Sequence, residues 1–240
     1  MQADLLAGLE LGGVPLATAI APQRVGRPIF IDLSIAPLFP HGYAHARRVS
    51  CDVFANIGAT EYLLNSTAYG WWTQGRLYRF NDPDSACVYQ PLGESPVTEA
   101  ESRSRFLASV ITGGMIIAGD DFTKPEAQAR AITIFSNREI LALARQSPAF
   151  VPLDANTGSK APTRFSWTNG SDRYIAEFNF TKSRVNRRIL ETSLGQYRFG
   201  DSVRELWTGK AYSFGDTGGF DMELGPYDCA ILWFSPSKSR

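Results

Sequence analysis

The sequence predicts two architectures in series: an α/β segment with a parallel sheet, then an antiparallel β-sandwich. Three observations carry this. To about residue 146, short apolar runs alternate with stretches of helical spacing, which is the order a parallel sheet needs because each crossover takes a helix. After Pro148 the helical patterns stop, and strand-like runs recur between glycine-bearing turns. Finally, 240 residues with 44% hydrophobic and 20% charged side chains suffice for one large domain or two modest ones with filled cores. The boundary is expected near residue 148, giving segments 1–147 and 148–240.

In chain order, Asp4 to Glu10 reads as the end of a helix stopped at Gly12-Gly13. Pro28 to Ser34 is almost wholly apolar, as a buried parallel strand should be, and Pro37 and Pro40 end it in a loop. Arg47 to Cys51 is a second short strand. Ala59 to Trp71 has helical spacing at Tyr62, Leu63, Ser66 and Tyr69, and Arg76 to Phe80 alternates like a third strand. Thr98 and Glu101 form a capping box that opens a helix through Val110, closed by Gly113-Gly114. Met115 to Ala118 is expected as a buried strand ending at Asp120-Asp121. Thr123 and Glu126 predict another capping box, for a helix over Pro125 to Phe135, and Asn137 to Arg145 a further short one.

The second segment offers roughly seven short strands. They are Arg164–Trp167, Tyr174–Phe180, Arg187–Thr192, Val203–Trp207, Ala211–Phe214, Phe220–Leu224 and Cys229–Phe234. Turn signals at Asn169-Gly170, Gly195, Thr208-Gly209, Gly218-Gly219 and Gly225-Pro226 separate them, and a polar tail runs to Arg240.

Composition removes several function classes. Lys+Arg and Asp+Glu number 24 each, so no basic excess points to nucleic acid or to an anionic membrane. No run approaches 18 apolar residues, so no membrane span is expected. The start, Met1 to Asp4, has no basic stretch of the secretory type, and the compartment stays open. Three scattered cysteines and two histidines, His41 and His45, cannot make a disulfide framework or a histidine metal site. No cofactor and no metal are expected.

The chemistry is expected at two acidic loops. Arg48 and Asp52, four residues apart, follow the second strand, and Asn81-Asp82-Pro83-Asp84 follows the third. Both would sit at strand C-termini, where (β/α) barrels present their catalytic groups. From the residues alone, Asp52 is either a catalytic acid or a surface carboxylate paired with Arg47 or Arg48. Asn-Asp-Pro-Asp is equally a good turn. Asp120 and Asp121 are rim groups or helix caps, and Tyr43, Trp71 and Trp72 are pocket walls or core.

These motifs resemble the clan D glycoside hydrolases, the family 27 and 36 α-galactosidases. Arg48 and Asp52 match the spacing of the substrate-binding arginine and acid/base aspartate after the sixth barrel strand. Asn81 to Asp84 match the loop after strand seven, and Gly114 to Asp121 resemble strand eight. Leu206-Trp207 and Tyr227 to Ala230 match the C-terminal antiparallel domain. The resemblance spans about residue 28 to 234. It implies the C-terminal half of a (β/α)8 TIM barrel followed by a β-sandwich, and a retaining hydrolase acting by double displacement on a carbohydrate substrate. Asp52 would be the acid/base and Arg48, Asp82 and Asp84 would serve substrate binding.

Two departures qualify what the resemblance implies. Ile35-Ala36-Pro37 occupies the place where the family commonly carries Cys-Glu-Trp-Pro or a similar run, whose Glu or another polar residue reads the sugar's 2-hydroxyl, which leaves the sugar open between an α-galactoside and a related pyranoside such as a β-L-arabinopyranoside. The Lys-x-Asp nucleophile motif does not precede the first strand. Asp32, the acidic residue there, is flanked by Ile31 and Leu33 and is a poor nucleophile candidate. The expectation is therefore a chain that lacks strands one to four and is inactive alone, and that pairs with an N-terminal half or with itself. The rival is a non-catalytic carbohydrate-binding or scaffold protein.

Overall fold

The computed structural model describes residues 23–34, 41–91, 93–154, 160–190, 202–215 and 218–235. The helix expected at 4–10, the 35–40 loop, the end of the strand at 191–192, the Gly195 turn and the tail lie outside them.

Three short strands, β1 (Asp32–Leu33), β2 (Ala46–Arg48) and β3 (Phe80–Asp82), form a parallel sheet in chain order. The register sets Asp32 beside Ala46 and Arg48 beside Asp82. Helix α1 (Ile57–Gly70) joins β2 to β3. A second parallel pair follows, β4 (Ser85–Ala86) with β5 (Ile117–Ala118), joined through α2 (Glu99–Gly113). Helices α3 (Pro125–Phe135) and α4 (Arg138–Ala144) close the segment. Parallel strands in chain order, with helical crossovers from β2 to β3 and from β4 to β5, follow the pattern of a (β/α) barrel wall. Alternation along the strands divides this wall into two faces. Leu33, Arg47 and Asn81 share one and are buried; Asp32, Arg48 and Asp82 share the other.

The helices form for local reasons. The Asn56 side chain accepts the Ala59 amide at 2.9 Å and starts α1, whose buried residues Thr60, Leu63, Leu64 and Thr67 keep helical spacing. The Thr98–Glu101 capping box forms as expected at the start of α2. That helix ends at Gly114, where φ is 74°. A Cβ on Gly113 would lie 2.7 Å from the Asn81 carbonyl, and one on Gly114 2.1 Å from that of Ala144. Glycine at both positions lets the helix end rest on β3 and α4.

Eight antiparallel strands follow: β6 (Val151–Pro152), β7 (Arg164–Asn169), β8 (Asp172–Phe178), β9 (Val185–Leu190), β10 (Ser202–Glu205), β11 (Ala211–Tyr212), β12 (Gly219–Leu224) and β13 (Cys229–Ser235). Six make one sheet in the order β11-β10-β13-β8-β7-β6, and β12 pairs with β9 in a second. Ile175, Ile189, Phe220, Leu232 and Phe234 belong to the apolar cluster joining these sheets. The other face of the large sheet packs on the helices. One core cluster includes Leu63, Phe106 and Ile111 together with Phe165, Phe178 and Ile231. Within it Phe106 meets Phe135 and Trp207 edge-on, at centroid distances of 5.1 and 6.1 Å.

The strand expected over Pro28 to Ser34 is confined to Asp32–Leu33, with Phe30 exposed, and the one expected over Arg47 to Cys51 ends at Arg48. Three further expectations change. The strand expected from Arg76 begins only at Phe80, because the amides of Arg76, Leu77 and Tyr78 all donate to the Thr73 carbonyl in a turn. The strand expected to be buried at Met115–Ala118 shortens to β5, with Ile117 41% exposed, since β4 pairs with one of its edges and no described element covers that side chain. No capping box forms at Thr123; its amide and hydroxyl bind Asp121 instead, and Lys124 caps α3 without a side-chain bond.

Candidate active site

The second face of the parallel sheet gathers the acidic loops. Arg48, at the end of β2, extends its guanidinium to Asp52 at 2.9 Å and to Asp84 at 3.5 Å. The Asp52 side chain is 71% exposed, so a substrate can reach it, whereas Arg48 and Asp84 are nearly covered at 18% and 20%. Asp84 also accepts the Val53 amide at 2.7 Å, which pins the segment carrying Asp52 to the loop after β3. The two acidic loops are thereby one unit. Of the expected groups, Arg48, Asp52, Asp82 and Asp84 lie together.

The Asn81–Asp84 turn is strongly determined. Asp84 adopts φ 65°, unusual for a side chain with a Cβ and worth of order 1–3 kcal/mol of strain. The Asp82 carboxylate accepts the Asp84 amide at 2.8 Å and fixes that geometry. Behind the turn lies Arg105 of α2, fully buried, which donates to the carbonyls of Pro83 and Ser85 and to the Ser109 hydroxyl. Burial lowers its pKa to about 10, against the pull of Asp84, Cys87 and Asp82. Sequence reasoning missed Arg105. The available signal was its spacing: it falls on the stripe Ser102, Arg105, Phe106, Ser109, Gly113, which packs inward.

Asp32 joins the group. Burial first, then the adjacent Asp82 carboxyl, raises its pKa to about 7. Burial also raises that of Asp82, opposed by the Asp84 amide and by Arg48.

Other expected rim groups fall elsewhere. Asp120 accepts the amides of Val88, Tyr89 and Gln90, so it ties the end of β5 to the 87–90 loop. Asp121 is turned to Thr123. Trp71 and Trp72 follow the end of α1. A crossover helix runs antiparallel to its strands, so they lie at the end of the sheet opposite Asp52. Tyr43 is 45% exposed, in a 3-10 turn before β2. The three cysteines are free thiols. No helix among the described residues is long and apolar enough to cross a membrane.

Comparison with known proteins gives structural matches alone. No protein-family model matches the chain, and no curated protein does. Among solved structures, it is similar to a GH27 β-L-arabinopyranosidase from Geobacillus stearothermophilus in complex with arabinose, with a TM-score of 0.77 and 18% identity. That match covers 97% of this chain and 56% of the other. α-Galactosidase I from Mortierella vinacea matches with a TM-score of 0.72 and 15% identity, over 93% of this chain and 63% of that one. An isomalto-dextranase from Arthrobacter globiformis T6, complexed with panose, matches with a TM-score of 0.65 and 16% identity, over 93% and 41%. The chain thus has the α-galactosidase-like fold of GH27 structures, and it spans a little over half the length of the first two.

Proposed function

We propose that this chain supplies the acid/base side of a retaining glycoside hydrolase active site of the α-galactosidase type. The observation that carries the reading is the Arg48–Asp52 bridge at the C-terminal end of a parallel strand, closed by Asp84 from the next loop. Asp52 would protonate the departing glycosidic oxygen and later deprotonate water, and Arg48, Asp82 and Asp84 would orient the sugar. Retention needs a second carboxyl about 5–5.5 Å away as nucleophile. In this reading that group comes from strands one to four of a barrel of which residues 1–147 form the C-terminal half, with 148–240 as the sandwich domain. The substrate is a terminal α-galactoside or a related pyranoside such as a β-L-arabinopyranoside.

The half-barrel reading also concerns partners. A closed barrel has no sheet edges, whereas an arc exposes two edges and its inner face. Phe30 and Ile117 are 53% and 41% exposed, which fits a face awaiting cover, whereas the half-buried Ile31 and Ile116 already pack on the Leu33–Tyr78 cluster and on the helix core. Leu33 is buried because it points to the helix side, against Tyr78. Self-association or pairing with an N-terminal half at micromolar concentration follows; light scattering from a compact monomer that binds no apolar dye counts against it.

Turnover of aryl α-galactosides and β-L-arabinopyranosides with graded leaving groups tests the reading. The 240-residue chain alone should be inactive, and a longer product containing it active. There, Asp52→Asn should slow substrates with poor leaving groups roughly 10²–10⁴-fold and activated ones less. Equal losses on both would make Asp52 structural. Turnover by the chain alone, abolished by Asp32→Ala, would make Asp32 the nucleophile and remove the half-barrel reading. The second reading is a non-catalytic carbohydrate-binding or scaffold protein. It calls for sugar binding lost in Arg48→Ala, with no turnover in any longer product.

A further inference from the structure

Asp32 and Asp82 approach each other from β1 and β3 on the face that carries Arg48. Asp32 Oδ1 is buried and meets no N–H or O–H donor among the described residues. The group beside it is the Asp82 carboxyl, itself already accepting the Asp84 amide. Two facing carboxylates repel, and each leaves lone pairs unmatched; one proton between them relieves both. Burial pushes both carboxyls toward the neutral form; the Leu33 amide and Arg48 oppose it at Asp32, and the Asp84 amide, Asp32 and Arg48 oppose it at Asp82, while Asp82 adds to it at Asp32, so the proton belongs on Asp32.

From this pair a line of contacts leads outward. The Asp84 amide donates to Asp82 Oδ1, the Val53 amide donates to Asp84 Oδ2, Asp84 Oδ1 faces Arg48, and Arg48 holds Asp52. We propose that Asp32 is a positioning residue whose carboxyl shares one proton with Asp82, and that this proton locks the turn through which Asp84 holds Arg48 and the Val53 amide beside Asp52. The proposal rests on reading Asp52 as the acid/base. The charged and titratable groups around the pair are Arg48 from β2, Asp84 from the turn and Arg105 from α2, with His45 Nδ1 accepting the neighbouring Ile31 amide. Loss of the proton adds a negative charge among these groups and sets Asp32 against Asp82, so the turn must move to separate them.

Backbone amide shifts of the 240-residue chain, followed from pH 5 to 9, test this without any sugar. The Asp84 and Val53 amides should titrate together with a midpoint near 7, the value to which Asp32 is raised. Asp32→Asn keeps a donor toward Asp82 and should abolish that midpoint, holding both amides at their low-pH positions. The Thr163 amide, bound to Asp154 in the sandwich, is the control and should stay still in both. No midpoint near 7 in the wild type overturns the proposal, as does movement of the Asp84 amide while that of Val53 stays fixed. If Asp32→Asn does not fold, the wild-type titration decides. A failed glycoside assay leaves this result standing, and failure here leaves the assay standing.

Discussion

The acidic face of the parallel sheet and the core around α2 are built partly from the same residues of chain, yet they follow opposite rules. Around α2, Phe106, Leu107, Val110 and Ile111 are fully buried, and strands of six or seven residues supply the opposing wall. On the acidic face the strands are two or three residues long, and carboxylates crowd around one arginine. One region is packed for stability. The other carries unusual φ, facing carboxyls and an exposed acid, which cost stability and make sense where a ligand is met. Arg105 joins them: its backbone sits in the packed helix and its guanidinium ends under the acidic turn.

The largest effect should come from breaking the packed side. Phe106→Ala removes a ring that touches α3 and the sandwich, and should destabilise by about 3–5 kcal/mol. Because one core cluster runs through both segments, unfolding should remain a single transition, with tryptophan fluorescence and far-UV circular dichroism coinciding. Two separate transitions, only one of them shifted, would show that the helical layer and the sandwich are energetically independent.

Next comes the junction. Arg105→Met keeps most of the volume but removes the donor of the Pro83 carbonyl, at about 1–3 kcal/mol, while the Ser85 carbonyl keeps the Cys87 amide. Unlike Phe106→Ala, it should also move the Asp84 and Val53 amide signals, since the turn loses its clamp. Chemical denaturation with amide spectra on both variants separates the two outcomes. Identical spectral changes in the two would dissolve the distinction between the regions.

The packed side was the more legible in sequence. Apart from the two-residue β11, which its flanking turn signals marked, strands β7 to β13 follow alternation and turn residues closely, and α2 follows its capping box, because these elements are long enough for periodicity to speak. The missed β6, a pair of residues, has no period at all. On the acidic side, the Arg48–Asp52 spacing and the Asn81–Asp84 turn were visible as local motifs. What joins them was not: the Val53–Asp84 bond spans 31 positions, and the Arg105–Pro83 bond 22. Asp32 looked like part of an apolar strand, and only the register across β2 brings it to Asp82.

A smaller effect tests the acidic side through pH. Asp32 binds its proton more tightly folded than unfolded, because its pKa rises from 3.8 to about 7. The folded state then holds more protons across that interval, so this group's contribution falls as pH rises from about 4 to 7 and is level beyond. The slope is at most about 1.4 kcal/mol per pH unit, less with the screening that partial exposure brings. Urea midpoints at several pH values, compared between wild type and Asp32→Asn, give the difference directly. Parallel curves would mean that Asp32 ionises as easily folded as unfolded.

The smallest effect on stability should come from the residue on which the functional reading depends most. Asp52 is 71% exposed, and its bond to Arg48 is an i,i+4 ion pair open to water and salt. Such pairs contribute about 0–1 kcal/mol. Arg48 keeps Asp84 when Asp52 is neutralised, so no buried charge is stranded. Asp52→Asn should therefore change the denaturation midpoint by no more than about 0.5 kcal/mol, whatever it does to a glycoside. A loss of 2 kcal/mol or more, on the scale of a broken buried network, would place Asp52 with Arg105 as a structural group, and the contrast between a packed side and a reactive side would lose its reactive member.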